Sequence, residues 1–105
     1  MLSQDGKQKL KLLLLNHEKY RKLDEDCEYF YSKLDNLLQF FHELDENRKI
    51  ALIYICFTIG IQGLLHCRDM INAIKNGDYS KASEEITKVS NAIKLSADIM
   101  MTGYI

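Results

Sequence analysis

Apolar side chains fall at Tyr20, Leu23, Cys27, Phe30, Leu34, Leu37, Phe41 and Leu44, in alternating steps of three and four. Those steps return a residue to the same side of an α-helix at every turn, so the run predicts a helix whose seam packs at a shallow angle on its neighbours. Upstream, Leu10 and Leu13 or Leu14 carry a helical stripe as well, but its phase slips between residues 20 and 24, and His17 lies on it. Two arrangements absorb the slip: one long helix kinked around Asp24, or a second helix capped by Asp24 or Asp26 after a short break.

The next stretch, IALIYICFTIGIQGLL, runs from Ile50 to Leu65 without a charge. As a helix it is ~24 Å long, short of the ~30 Å hydrocarbon core of a bilayer. It holds Thr58, Gln62 and two glycines, and its flanks Arg48, Lys49, His66 and Arg68 show no charge asymmetry, so a membrane span is not expected. Its β-branched and aromatic residues favour a strand. No second strand candidate occurs to pair with it, however, and an unpaired strand is not a stable structure. The expectation is a central helix, residues 47 to 76, apolar all round because other helices surround it. Gly60 and Gly63 would then let a neighbouring helix approach closely, each costing about 1 kcal/mol of helix propensity.

Polar segments divide these elements. ELDENRK predicts a turn with Asp45 as N-cap, and KNGDYS predicts a left-handed stop at Asn76 and Gly77 followed by a start at Asp78 or Ser80. The last helix places Ala82, Ile86, Val89, Ile93, Ala97 and Met100 on one face and closes at Gly103. The predicted fold is all-α: an antiparallel helical bundle of three long helices, or four if the first is broken near Asp24, in one domain over residues 1–105.

Composition agrees. There is no proline, apolar residues make up 47% and charged residues 28%, values typical of a packed chain rather than a disordered one. No basic region followed by an apolar stretch and a small-residue cleavage site opens the sequence, and the three cysteines are an odd number, so reduced thiols in a cytoplasmic setting are expected. The net charge of −1 conceals a lopsided distribution: residues 1 to 22 carry +4, residues 23 to 46 carry −7, and the rest +2. The acidic middle is the chief electrostatic feature.

Catalytic and metal chemistry find little purchase. The residues three before His17, His42 and His66 are Leu14, Gln39 and Gly63, so the Glu-x-x-His pattern of di-iron bundles is missing. His66 and Cys67 are adjacent and would point about 100° apart on a helix, poor geometry for one zinc. Cys56 and Cys67 would share a face but stand ~16 Å apart, too far for a metal or a disulfide. Nothing holds a base against a cysteine or serine, and GIQG is not a phosphate loop. No cofactor, no metal and no enzymatic activity are expected. Lys7, Lys9, Lys11, Lys19, Arg21 and Lys22 are a cationic cluster of the kind that touches phosphate, but the acidic stretch behind them would repel the same polyanion, so nucleic acid is not expected either.

The stretch LDEDCEYFYSKLD carries the candidate site. With Cys27, Phe30 and Leu34 turned inward, Glu25, Asp26 and Tyr29 point outward together, flanked by Asp24, Glu28 and Tyr31. Acids around exposed tyrosines suit a basic protein partner, since tyrosine is enriched in interface hot spots and carboxylates steer cations. The bland alternative is that a tyrosine completes the core and the acids are only solvated.

Two local resemblances follow from these residues. AIKNGDYSKASEEI resembles the helix-turn-helix junctions of tetratricopeptide-type hairpins and of flagellin export chaperones. The cluster Asp24, Glu25, Asp26, Glu28, Tyr29 and Tyr31 is similar in kind to the acidic, tyrosine-bearing surface by which colicin nuclease immunity proteins block basic nucleases; this chain has neither the adjacent tyrosine pair nor the proline of that family. The expected function is therefore a small cytoplasmic protein-binding module, an inhibitor or immunity-type protein neutralising a basic toxin or nuclease. The alternatives are a secretion or export chaperone holding an amphipathic client helix, and a small integral membrane protein; a homodimer would cover Leu12 and its neighbours.

Overall fold

The computed structural model describes residues 1–14 and 23–105. Within them lie six α-helices, α1 Gln4–Leu14, α2 Leu23–Leu37, α3 Glu46–Leu65, α4 Arg68–Lys75, α5 Tyr79–Val89 and α6 Lys94–Thr102, with 3-10 turns at Phe41–Glu43 and Asn91–Ile93 and no strand. The all-α expectation stands. The expected long helices, however, are divided into shorter ones, and the question of how the first is broken falls partly on residues 15–22, outside those described. Because α2 already begins at Leu23, Asp24 and Asp26 sit in its first turn.

The helix α3 is the centre. Ile50 to Cys56 are buried at seven consecutive positions, which only a helix enclosed on every side achieves. Helices α1, α2 and α6 pack against it, and α5 packs on both α4 and α6. Enclosure relaxes beyond Cys56: Phe57, Ile59 and Ile61 are only partly buried against the core. Phe57 is met edge-on by Phe30 of α2, with ring centroids 5.0 Å apart.

The glycines of α3 act differently from the expectation. Gly60 has φ 79° and ψ 165°, a backbone region open to glycine alone, and it interrupts the helix. A Cβ there would touch nothing, so backbone conformation, not close approach of a neighbour, requires the glycine. At Gly63 a Cβ would crowd Ile59 of the same helix at 3.1 Å.

Two other corrections concern helix ends. The seam was expected to continue through Leu37, but α2 stops there; Leu37 is half exposed and Leu38 takes the buried position, followed by Phe41 and Leu44. The C-terminal helix is broken at Ser90, whose extended backbone (φ −167°) lets its hydroxyl accept from the Ala92 N–H at 3.1 Å. Serine competes well with helical hydrogen bonding in this way. The break rotates the face, leaving Val89 exposed while Ile93, Ala97 and Met100 stay in the core.

Local stops and starts follow the sequence signals. Asp45 caps α3 by accepting from the Arg48 N–H, Asp78 caps α5 by accepting from the Lys81 N–H, and Gly103 closes α6 in the left-handed conformation.

The first turn of α3 also fastens other helices. Glu46 accepts from the Ser3 N–H and the Ser3 hydroxyl, both at 2.8 Å, while Ser3 itself accepts from the Gly6 N–H and so caps α1. The carboxylate lies so close to Gly6 that a Cβ there would sit 2.8 Å from it. Asn47 donates to the Gly103 carbonyl at 2.9 Å. Arg48 donates to the carbonyls of Met100 at 2.7 Å and Met101 at 3.2 Å, with its guanidinium 3.6 Å from the centre of the Tyr79 ring. These carbonyls end α6 and have no partner within it, so a cation there satisfies both hydrogen bonding and the helix dipole.

Two outcomes follow for stability. Arg48→Ala should lower it by about 2–3 kcal/mol by orphaning those carbonyls and uncovering Tyr79, with Arg48→Lys intermediate. A urea midpoint within error of wild type for the alanine variant would remove Arg48 from this role. The Ser3 N–H, aided by the Ser3 hydroxyl and Lys9, holds the Glu46 carboxyl below its ordinary value of 4.5 against the opposing effect of burial. Its contribution is therefore complete above that value and is lost as pH falls below it. Glu46→Gln should start less stable at neutral pH and show a shallower acid limb; parallel limbs for the two proteins in urea titrations would contradict the linkage.

Candidate protein-binding site

The helix α2 is held by one side. Cys27 and Leu34 are buried and Phe30 is partly buried, so the opposite side faces water. Asp24, Glu25 and Glu28 are exposed, Asp26 is half-buried, and Tyr29 is 54% exposed. Glu25 and Tyr29, one turn apart, thus stand outside together.

Tyr31 does not join them. It is partly buried, meets Phe41 edge-on at 5.2 Å, and its hydroxyl accepts from the Lys49 ammonium at 3.3 Å. The sequence pattern set Tyr29 outward with Glu25 and Asp26 and Tyr31 on the flank of the same patch, whereas two residues of helix separate the two tyrosines by about 200°, enough to turn one outward and one towards the core.

The carboxylates are largely uncompensated. Glu28 lies 3.7 Å from Lys7 of α1, an exposed pair worth about 0–1 kcal/mol. Asp24, Glu25 and Asp26 make no ion pair among the described residues. Lys33 sits 5.7 Å from the centre of the Tyr29 ring, and the edge of Phe30 meets that ring at 5.6 Å. Tyr29 is therefore steadied by its own helix while its outer surface stays open, the condition under which a side chain contributes contact area at low entropic cost. Lys19, Arg21 and Lys22 of the basic stretch lie outside the described residues.

A feature that the sequence pattern did not reveal adjoins the end of α2. A groove of about 680 Å³ is lined by Leu37, Leu38, Phe40 and Ile71 together with polar residues that include Lys75. Its existence depends on the chain turning after Leu37 and on α4 lying nearby, both tertiary facts. A second, polar groove of about 420 Å³ lies between α4 and α5, where Asp69, Asp78 and Glu85 are neighbours of Lys81. Lys81 and Lys88 both approach Glu85 there, at 3.7 and 3.5 Å.

Among the described residues no three His, Cys, Asp or Glu side chains converge in a way that would hold a metal ion. The cysteines are free thiols. Burial pushes the Cys56 thiol up to about 12, and it raises Cys67 and Cys27 too, the latter with Asp24 and Glu28 adding to the effect and Lys7 opposing it. All three are protonated at neutral pH and poor nucleophiles. With a disulfide reagent such as DTNB, Cys67 should react first and Cys56 only on unfolding, so Cys67→Ser should remove the fastest native phase; comparable native reactivity at Cys56 would contradict the enclosure of α3. No protein-family model, curated protein or solved structure matches the chain, and its geometry is what bears on function.

Proposed function

We propose that the protein is a binding module that captures a basic protein, as an inhibitor or immunity-type protein does, through the outward side of α2. The observation that supports this reading is the joint exposure of Glu25 and Tyr29 in a helix turn whose other carboxylates, Asp24 and Asp26, have no cation beside them among the described residues. Uncompensated carboxylates raise the on-rate of a cationic partner, and an adjacent aromatic ring supplies contact that outlasts the encounter. Tyr31, turned towards Phe41 and Lys49, is left out of the contact set; Asp24, Glu25, Asp26, Glu28 and Tyr29 compose it.

The membrane alternative has α3 behind it, the one helix among the described residues long and apolar enough to cross a bilayer by length and composition. Against it stand the enclosure of Ile50–Cys56 by the chain's own helices and the interruption at Gly60. A buried central helix explains the same residues without lipid.

The test is charge reversal with the fold held constant. Immobilised wild-type protein should retain from native extract a basic protein that elutes as salt is raised, and Glu25→Lys with Asp26→Lys should lower that retention more than about tenfold. Circular dichroism melts should show the reversed variant still folding cooperatively, destabilised by no more than the lost helix-dipole interactions and the new cationic repulsion at that terminus, about 1–2 kcal/mol in all. Equal retention by the reversed variant would take α2 out of consideration.

A further inference from the structure

Glu25, Tyr29, Lys33 and Leu37 follow one another at intervals of four along α2, and all four are exposed. Residues so spaced form one ridge on a helix. This ridge begins in the acidic first turn and ends at Leu37, which is half exposed and lines the 680 Å³ groove with Leu38, Phe40 and Ile71. From Glu25 to Leu37 the helix rises ~18 Å. Carboxylates and groove are thus two ends of one continuous surface.

Its charge restricts what can lie on it. Asp24, Glu25, Asp26, Glu28 and Asp35 face Lys33 alone within α2, so the helix carries −4. The acids of the first turn attract a cationic element to that end and repel an anionic one, while Lys33 on the ridge itself disfavours a cation at its middle. The groove end differs: Leu37, Phe40 and Ile71 ask for an apolar side chain, and Glu43 and Lys75 on its lining balance each other, so no net charge draws a cation there. The surface therefore complements an element that is basic at one end and apolar at the other.

We infer that the groove is the apolar anchor of the same interface, and that its occupant is a basic amphipathic helix of the partner protein lying along α2. Its cations cover Asp24, Glu25 and Asp26, and an apolar side chain about three turns away is seated against Leu37, Phe40 and Ile71. A helix fits because a ridge at intervals of four interdigitates with the grooves of another helix, and recognition of this kind uses a few anchors spaced by whole turns. The inference rests on the reading that α2 binds a basic protein, and adds the shape of the bound element and the place of its anchor.

A fluorescein-labelled lysine-leucine peptide of about 18 residues, with its leucines on one helical face, is the probe, beside a scrambled peptide of the same composition. Anisotropy titrations at physiological salt should give at least about tenfold tighter binding of the ordered peptide by the wild-type protein. Leu37→Gln, or Asn72→Trp filling the groove from its exposed rim, should bring the two peptides to equal affinity while leaving charge-driven binding in place. Glu25→Lys with Asp26→Lys should weaken both peptides together. No preference in the wild type, or a preference untouched by both groove variants, overturns the anchor. If charge reversal alone still weakens binding, the α2 reading survives that result; if reversal changes neither peptide, the α2 reading fails and the inference with it.

Discussion

The arrangement depends on the first turn of α3. Four consecutive residues there reach four other helices between them: Glu46 takes the start of α1 through Ser3, Asn47 and Arg48 take the end of α6, Arg48 also stacks on Tyr79 at the head of α5, and Lys49 meets Tyr31 of α2. A helix needs something at its N-terminus and its C-terminus, because its end groups lack intrahelical partners. Supplying both kinds of end from one turn fixes where α1 starts and α6 stops relative to α3. Apolar burial, which Ile50 to Cys56 share with side chains from every other helix, then drives folding, but it is non-directional and would accept many crossing angles. The polar turn chooses among them.

That choice leaves α2 free on one side. The helix is joined to the rest by Cys27, Phe30 and Leu34 along its seam and by Tyr31 and Glu28 at its edges, contacts that all lie towards α1, α3 and the 3-10 turn. Nothing described packs over Glu25, Tyr29 and Leu37. The electrostatic consequence is local. Asp45 is answered by Arg48, Asp5 by Lys9 and Glu85 by two lysines, whereas among the described residues Asp24, Glu25 and Asp26 have no ion pair and Glu28 has only the Lys7 contact. In a chain with a net charge of −1, three successive carboxylates without an ion pair among the described residues thus stand on a surface that packing does not use.

How much of this could be read from the residues divides by range. Asp45, the left-handed Gly77 with Asp78 after it, and Gly103 were legible because caps and left-handed stops are decided within a few residues, although Asn76, expected to share the stop, keeps a negative φ of −86°. A central helix was legible by exclusion, despite β-branched residues that favour a strand, because no other segment offered a second strand; its extent was not, since the expected residues 47 to 76 are divided between α3, which ends at Leu65, and α4, which starts at Arg68. The breaks at Leu37 and Ser90 were not. An apolar period of three and four continues through both, and whether a helix does so is settled by where the next element can pack. Gly60 was visible but misassigned: a glycine in an apolar helix reads equally as close approach or as a backbone break, and only its dihedral angles distinguish them. In the candidate site, Glu25 and Tyr29 followed from the seam, while the departure of Tyr31 and the groove beyond Leu37 required coordinates.

The same division separates stability from recognition in the chain. Residues that fasten helices to one another, such as Arg48, Asn47 and Ser96, whose buried hydroxyl donates to the Ala51 carbonyl at 2.9 Å, satisfy backbone groups and so are answered within the fold. The acids of α2 satisfy no backbone group outside their own helix. Asp24, Glu25 and Asp26 in its first turn do interact favourably with the helix dipole, an effect worth about 0.3–1 kcal/mol each at an exposed site. One or two carboxylates suffice for that purpose, and each further one repels its neighbours. Three in succession with a fourth at Glu28 exceed what the helix terminus needs, and among the described residues only Lys7, beside Glu28, answers any of that charge.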